Sequence, residues 1–147
     1  MDVDVTTTIV IERPIAVVAG YSGDPTNAPE WNRRITSAEW QTEPPMMLGS
    51  RITFNARLMG KDLVYTYEVI EHTPGDQVAM RTTQGPFPIN TTYTWRPVGE
   101  RVTHMTLRNH GEPKGFSRLV APLMTLAMRR AMRQDLSRLK QLLESHH

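Results

Sequence analysis

Cysteine is absent from the 147 residues of this chain, which excludes disulfides, thiol nucleophiles and thiolate metal ligands. No apolar run approaches the roughly 20 residues that a membrane-spanning helix requires, so we expect no integral membrane segment. The formal net charge is only +2. A nucleic-acid footprint needs clustered Lys and Arg, and we therefore expect no nucleic-acid partner. The N-terminus is acidic where a signal peptide would be basic, which predicts a cytoplasmic protein.

Groups that could carry out catalysis are sparse as well. The chain has no glycine-rich phosphate loop and no recognisable Ser–His–Asp arrangement. Glu39 and Glu71 are the only candidates for inward carboxylates, and both lie at the ends of predicted strands. His104 and His110 are separated by roughly 20 Å along one strand, so they cannot bind one metal ion together. We expect no metal site and no cofactor, and no catalytic residue can be assigned.

What the chain does contain is a series of strand patterns. Val3–Glu12 alternates between apolar and polar residues, as a half-buried strand does. Short helices are predicted at Ile15–Ala19, which Gly20 would end, and from Asp24 to Trp31, where Asp-Pro is a typical helix start. Turn residues separate six further strands, and such short connections make neighbouring strands antiparallel. These strands are predicted at residues 36–43, 49–59, 61–71, 76–84, 89–98 and 101–112.

Alternation within the strands predicts which side chains face a shared interior. Apolar and aromatic residues take one face of each strand, and polar or β-branched residues take the other. On the last strand, Met105 and Leu107 are predicted to point inward, with His104 and Arg108 outward. A register shift of one residue would turn His104 and Arg108 inward, as candidates for acid/base and oxyanion roles. The sequence leaves this register open.

The only long helical pattern runs from about Gly115 to Glu144 and carries an apolar stripe. Pro122 interrupts the pattern, so the helix either begins or bends there. The stripe rotates about the helix axis, which predicts that the two halves face different surroundings. The exterior is basic and is interpreted as a solvated face, with a membrane-surface or acidic-partner role as the alternative. Its basic residues are Arg118, Arg129, Arg130, Arg133, Arg138 and Lys140.

Several short motifs, taken in order, resemble one family. They are Ile9-Val-Ile-Glu-Arg-Pro14, Asp24-Pro25 with Pro29-Glu-Trp31, Gly49-Ser-Arg, Val69-Ile-Glu-His-Thr-Pro74 and Asp135-Leu-Ser-Arg-Leu-Lys140. The set resembles the polyketide cyclase/dehydrase branch of the START-like (SRPBCC) superfamily and spans nearly the whole chain. The resemblance implies an α+β helix-grip fold, in which a curved antiparallel sheet of about seven strands surrounds a long C-terminal helix. We interpret residues 1–147 as one such domain, with the last two histidines as a tag remnant.

The helix-grip fold implies a hollow between sheet and helix, walled by aromatic and Met side chains. The tyrosines among them, together with Asn109, are inward polar groups that could anchor a ligand carbonyl. Trp31 has two interpretations, as part of the cavity wall or as a structural plug that pins the short helices to the sheet. The predicted ligand-binding residues are Trp31, Phe54, Leu58, Tyr65, Tyr67, Met80, Tyr93, Trp95, Met105, Leu107, Asn109, Leu123, Met124, Ala127 and Met128.

The predicted function is binding of a hydrophobic small molecule, whether lipid-like, isoprenoid or aromatic polyketide. The alternative is an enzyme of the aromatase/cyclase type whose cavity Tyr and Asn groups polarise a polyketide carbonyl. Such an enzyme requires a polar patch with a shifted titratable group deep in the pocket, and a uniformly apolar pocket would count against it. A third interpretation is an interaction module whose partner covers the cavity mouth. A homodimer is also compatible with the sequence.

Overall fold

A sheet of antiparallel strands, curled around one long helix, forms the frame of the molecule. The computed structural model describes residues 3–58, 60–86, 88–112 and 121–145, without the side chains of Leu58 and Ala121. The strands are β1 (Val3–Ile11), β2 (Ile35–Trp40), β3 (Arg51–Leu58), β4 (Lys61–Thr73), β5 (Gln77–Gln84), β6 (Ile89–Gly99) and β7 (Val102–Gly111). The helices are α1 (Ile15–Ser22), a 3₁₀ turn (Pro25–Asn27), α2 (Ala28–Trp31) and α3 (Ala121–Glu144). The strands pair in the order β1-β7-β6-β5-β4-β3-β2.

This is the α+β helix-grip arrangement predicted from the sequence, with differences at the ends of elements. Gly20 lies inside α1 rather than after it, because the helix continues to Ser22, whose hydroxyl donates to the Val18 carbonyl. The second short helix is a 3₁₀ turn followed by α2, and the Asp24 side chain caps the turn by accepting a backbone N–H at 3.0 Å. β2 ends at Trp40, before the predicted boundary at residue 43.

The register of β7 places His104 and Arg108 on the outer face of the sheet. Met105 and Leu107 between them are buried, with 0% and 4% of their surface exposed. The Arg108 guanidinium donates to both carboxylate oxygens of Asp4 on neighbouring β1, at 2.9 and 2.7 Å. The hydrogen bond from Arg108 holds the pKa of the Asp4 carboxyl below its ordinary value. The prediction that Met105 and Leu107 face inward is confirmed. The acid/base and oxyanion roles considered for His104 and Arg108 required the shifted register, which the structure does not have.

Curvature of the sheet is associated with two bulges between β4 and β5. The register shifts at Thr66 and Tyr67, where Thr83 of β5 is the extra residue, and again between Val69 and Glu71, where Ile70 of β4 is the extra residue. An extra residue in one strand of a pair bends that strand and increases its twist. The bends lie on either side of Tyr67, so the inner face that carries this tyrosine is concave toward α3.

The apolar stripe of α3 packs across the concave face, beside β1 and α2. Burial of this stripe is the main source of the helix's stability, because a helix of this length gains little from propensity alone. Pro122 lies at the start of the described part of α3, and residues 115–120 of the predicted helix lie outside the described residues. The buried side chains are those of Ala131, Met132, Leu136, Leu139 and Leu143.

Polar contacts also attach the C-terminal end of α3 to the end of β1. The Lys140 ammonium donates to the Val10 carbonyl at 2.8 Å and to the Glu144 carboxylate at 2.6 Å. The same carboxylate accepts the backbone N–H of Glu12 at 2.8 Å, and this bond, followed by the one from Lys140, lowers the pKa of Glu144. The helix is therefore fixed at this end by both apolar packing and charge-assisted hydrogen bonds.

Candidate functional site

A cavity of about 200 Å³ lies between the concave face of the sheet and the middle of α3. Strands β2 to β7 supply most of its walls, the connection between α2 and β2 supplies one rim, and α3 supplies the other. The exposed side chain of Arg34 belongs to the lining and marks a place where the cavity meets solvent. A concave, mostly apolar cavity with a few polar groups is the usual form of a small-molecule site.

Two groups of aromatic rings form much of the cavity wall. Phe54 and Tyr67 meet edge to face with ring centroids 5.5 Å apart, and Tyr65 is tilted against Tyr67 at 6.4 Å. Tyr93 extends the wall and packs edge to face against Trp31 at 6.0 Å. Within each group the rings hold one another in place, since edge-to-face contacts add to the energy of simple burial. The wall is thus preformed and suited to planar apolar groups.

The position of Tyr65 depends on the glycine at the end of β5. A Cβ atom built on Gly85 would lie 2.7 Å from Cδ1 of the Tyr65 ring, closer than carbon atoms can approach. The backbone of Gly85 also has φ of +156°, which other residues rarely adopt. Only glycine lets the chain pass this close behind the aromatic wall.

Three polar side chains on the inner face of the sheet, those of Tyr67 on β4, Thr91 on β6 and Asn109 on β7, are linked by hydrogen bonds. The Thr91 hydroxyl donates to the Asn109 side-chain oxygen at 2.7 Å, and Thr91 also interacts with the Tyr67 hydroxyl. Burial raises the pKa of Tyr67 to about 12, and the bond with Thr91 opposes this rise. Burial likewise raises the pKa of Tyr93. Both phenols are therefore protonated at neutral pH and able to donate a hydrogen bond to a carbonyl oxygen.

One carboxyl group, that of Asp135 on α3, also lines the cavity. It is 7% exposed, and one of its oxygens accepts a long hydrogen bond of 3.5 Å from the backbone N–H of Arg33. Burial raises the pKa of Asp135 to about 6, although this N–H and the guanidiniums of Arg34 and Arg33 act in the opposite direction. A carboxyl with this pKa can accept a hydrogen bond from a ligand or exchange a proton near neutral pH.

Asp135 was not among the residues predicted from the sequence. The two carboxylates considered there, Glu39 and Glu71, are exposed and do not face the interior. The missed signal was spacing, because Asp135 stands three residues after Met132 and seven after Met128, on one helical face. An acidic residue in an apolar stripe is the pattern that should have been noticed. The other lining residues absent from the predicted set are Asn32, Arg34, Ile35, Ala56, Leu63, Ile89, Thr91 and Met132.

The structure brings just over half of the predicted ligand-binding residues to the cavity. Those that line it are Phe54, Tyr65, Tyr67, Met80, Tyr93, Leu107, Asn109 and Met128. Three others, Trp31, Trp95 and Met105, are buried in the core. The side chain of Leu58 lies outside the described residues.

Both tryptophans among these buried residues hold helices against the sheet. Trp31 is 1% exposed and packs on Tyr93, which favours its interpretation as a structural plug. Its indole N–H has no hydrogen-bond partner among the described residues. Trp95 lies toward α1 instead, where its indole N–H donates to the buried Ser22 hydroxyl at 2.9 Å.

The first turns of α3 place predicted residues away from the cavity. Leu123 is 68% exposed, Ala127 is also exposed, and Met124 is partly buried against the core. The inward face of the helix runs through Met124 and Met128, and a residue one position earlier lies about 100° around the axis. Placing Leu123 and Ala127 in the cavity wall was therefore wrong.

The described residues meet the requirements neither of a metal site nor of a membrane-spanning helix. No three His, Asp or Glu side chains among these residues are grouped so that they could hold a metal ion. Within the same ranges, none of the helices is long and apolar enough to cross a membrane. The polar groups that line the cavity are the phenols, the Thr91–Asn109 pair, the Asp135 carboxyl, and the side chains of Asn32 and Arg34 at the rim.

Comparisons with known proteins agree with this architecture. Residues 2–144 match the family described as "Polyketide cyclase / dehydrase and lipid transport". No curated protein has a sequence that matches the chain. A START superfamily protein from Mycobacterium smegmatis has a similar structure, with a TM-score of 0.84, 16% identity, and coverage of 98% of this chain and 99% of that one.

Two further solved structures share the fold. An aromatase/cyclase from Streptomyces sp. R1128 has a TM-score of 0.81 at 14% identity, with coverage of 98% of this chain and 94% of that chain. The major latex-like protein 151 of Panax ginseng has a TM-score of 0.71 at 13% identity, covering 95% and 96% of the two chains. At such low identities these similarities establish the fold alone.

Proposed function

Because the chain belongs to the polyketide cyclase/dehydrase and lipid transport family, we propose that it binds a compact hydrophobic molecule in the cavity between the sheet and α3. The observation that carries the proposal is a preformed aromatic cavity with a single buried carboxyl, Asp135, on its helix side. Apolar walls with a few placed polar groups are what small-molecule sites have in common. The walls supply affinity, and the carboxyl supplies orientation.

The size of the cavity limits the ligand. A dry apolar cavity of about 150 Å³ is enough for benzene, so a volume of about 200 Å³ suits a molecule of one or two rings, or a short isoprenoid. A long acyl chain needs more room than this. Met128 and Met132 on the helix side are unbranched and adaptable, so the cavity can widen for a somewhat larger ligand.

The polar groups favour a ligand with a hydroxyl. Ionised Asp135 accepts a hydrogen bond and repels another anion, while the Tyr67 and Tyr93 phenols donate. A phenol or alcohol on an apolar ring satisfies the carboxylate, which accepts a single long bond from the described residues. Hydrogen bonds to a charged group contribute about 1.5–3 kcal/mol, so a hydroxyl should strengthen binding at least tenfold.

The test uses 2-naphthol, with naphthalene and 2-naphthalenesulfonate as matched probes, titrated calorimetrically against the purified protein. We expect binding in the order naphthol, naphthalene, sulfonate. Ala56→Leu, which fills the cavity, should abolish naphthol binding, whereas the matched variant Val64→Leu on the exposed outer face of β4 should leave it unchanged. Native mass spectrometry would also be used to look for a co-purified ligand. Equal affinities for A56L and wild type, or no binding of any probe, would overturn the proposal.

A second candidate function is an aromatase/cyclase type of enzyme, and Asp135 is the observation that favours it. Its carboxylate could remove a proton from a carbon between two carbonyls while a tyrosine hydroxyl stabilises the enolate oxygen. That carbon would then attack a second carbonyl, forming a ring carbon–carbon bond, and loss of one water would give the unsaturated ring. The cavity would hold the chain in the folded geometry.

The two candidates differ in what Asp135→Asn does. If Asp135 is a general base, the variant should still bind 2-naphthol but lose at least a hundredfold in cyclisation of a poly-β-ketone thioester, followed by mass spectrometry of the products. If the protein only binds ligand, wild type and variant should both leave the thioester to cyclise at its uncatalysed rate.

A further inference from the structure

The exposed side of α3 carries a dense group of arginines beside the cavity. A groove of about 560 Å³ runs along this side of the helix. No ion pair to any of the arginines that line it is formed in the described part of the chain. Of the two acidic residues of α3, Asp135 lies in the cavity, where it interacts with Arg33, and Glu144 is bonded at β1. The Arg138 guanidinium donates to the Glu30 carbonyl at 2.7 Å. The arginines of this face, which we call the arginine face, are Arg33, Arg129, Arg130, Arg133 and Arg138.

Two exposed leucines continue the arginine face toward the start of the helix. Leu123 and Leu126 are 68% and 65% exposed, and Leu126 also lines the groove. Leu126 stands three and four residues before Arg129 and Arg130, so these side chains share one side of the helix. Neighbouring apolar side chains that are this exposed, beside arginines that form no ion pair in the described part of the chain, are the kind of patch that marks an interaction surface.

We propose that the arginine face and the two leucines dock the protein on the surface of a bilayer that contains anionic phospholipids. Arginines of this density complement lipid phosphates, and the leucines can enter the boundary between headgroups and acyl chains. A soluble polyanion or a nucleic acid would account for the arginines but not for the leucines. A bilayer surface accounts for both.

The position of the arginine face relative to the cavity supports the same partner. Arg33 belongs to the arginine face, and its neighbours Asn32 and Arg34 line the cavity. The backbone N–H of Arg33 also bonds the Asp135 carboxyl inside the cavity. Docking through this surface therefore brings one rim of the cavity next to the lipid, where apolar molecules are most concentrated.

The test is flotation of the protein with vesicles of phosphatidylcholine alone or with 30% phosphatidylglycerol, without added cavity ligand. We expect binding to the anionic vesicles only, weakened roughly tenfold or more between 0.1 and 0.5 M NaCl. Arg130→Gln with Arg133→Gln should weaken binding by roughly fivefold for each arginine removed. Leu123→Ser with Leu126→Ser should weaken it at least as much, with the salt dependence unchanged.

The matched control is Arg96→Gln with Arg101→Gln, which removes the same charge from the exposed β6–β7 hairpin and should bind like wild type. Thermal unfolding of all variants would verify that they fold. Equal binding to both vesicle types, equal losses in the control variant, or binding to poly-glutamate without binding to anionic vesicles would overturn the proposal. Because naphthol titration needs no vesicle, failure of docking and failure of the proposed ligand site are separate results.

Discussion

The two halves of α3 are one continuous helix but meet different surroundings. From Leu136 onward the inner face is packed tightly, and Leu136 and Leu139 are almost fully buried. Before Leu136, the side chains of Met128, Met132 and Asp135 border the cavity, and Leu123 faces outward. The same helical period therefore builds a core in one half and a ligand site in the other. Site and stability are separated along a single helix, so they should respond separately to mutation.

The largest expected difference is in the free energy of unfolding that is lost in Leu139→Ala and in Met128→Ala. Leu139 is 0% exposed, so truncation leaves a new void and should lower the free energy of unfolding by about 4 kcal/mol. Met128 is only partly buried and already borders a cavity, so its truncation should cost about 1 kcal/mol, as an average substitution does, while admitting larger ligands. Urea unfolding of both variants measures the difference. Equal losses would mean that the two halves are packed alike.

A smaller effect, dependent on pH, is expected for Asp135→Asn. Between the ordinary pKa of 3.8 and the folded-state value of about 6, the folded protein retains a proton that the unfolded chain releases. Stability therefore falls as the pH rises through this window. Asparagine removes the ionisation, so D135N should be more stable than wild type by about 2 kcal/mol at pH 7 and similar to it near pH 3.5.

Urea unfolding of D135N and wild type at pH 3.5, 5 and 7 gives the comparison. Asp4→Asn is the matched control, because its carboxyl has a lowered pKa and its loss should destabilise rather than stabilise at pH 7. A D135N variant that is less stable than wild type at pH 7 would show that the Asp135 charge is well compensated by Arg33 and Arg34, and that the cavity half is not strained by it.

Sequence patterns predicted the sheet and the buried C-terminal half of α3 better than they predicted the residues of the cavity. Alternation in β7 predicted that Met105 and Leu107 face inward, because a one-residue slip would expose the whole apolar face. For the cavity, pattern alone could not separate wall from core. Met105 and Leu107 are equally apolar inward neighbours, yet only Leu107 lines the cavity, since that depends on how closely α3 approaches. Helix rotation, which excluded Leu123, likewise depends on tertiary packing.

Asp135 shows a different limit of sequence reasoning. It belongs to the closing motif on the C-terminal helix, whereas the carboxylates predicted as inward candidates, Glu39 and Glu71, lie on strands. Its burial follows from two facts that no local pattern contains, the position of α3 across the cavity from the sheet and the chain path that brings the backbone N–H of Arg33 to its carboxylate. For a polar residue in an apolar helical stripe, the sequence therefore does not predict whether the side chain is buried or what it contacts.

The smallest change in stability should come from removing the hydrogen bonds of Lys140, which attach the C-terminal half of α3 to β1. Lys140→Ala removes the hydrogen bonds from its ammonium to the Val10 carbonyl and the Glu144 carboxylate, and should cost about 1 kcal/mol. Arg133→Ala, in the same helix but without an ion pair among the described residues, should change stability by less than about 0.5 kcal/mol. Hydrogen exchange should also quicken in K140A near Leu143 and stay unchanged near Met128, since local opening follows local contacts. Faster exchange along all of α3 would show instead that the two halves open as one unit.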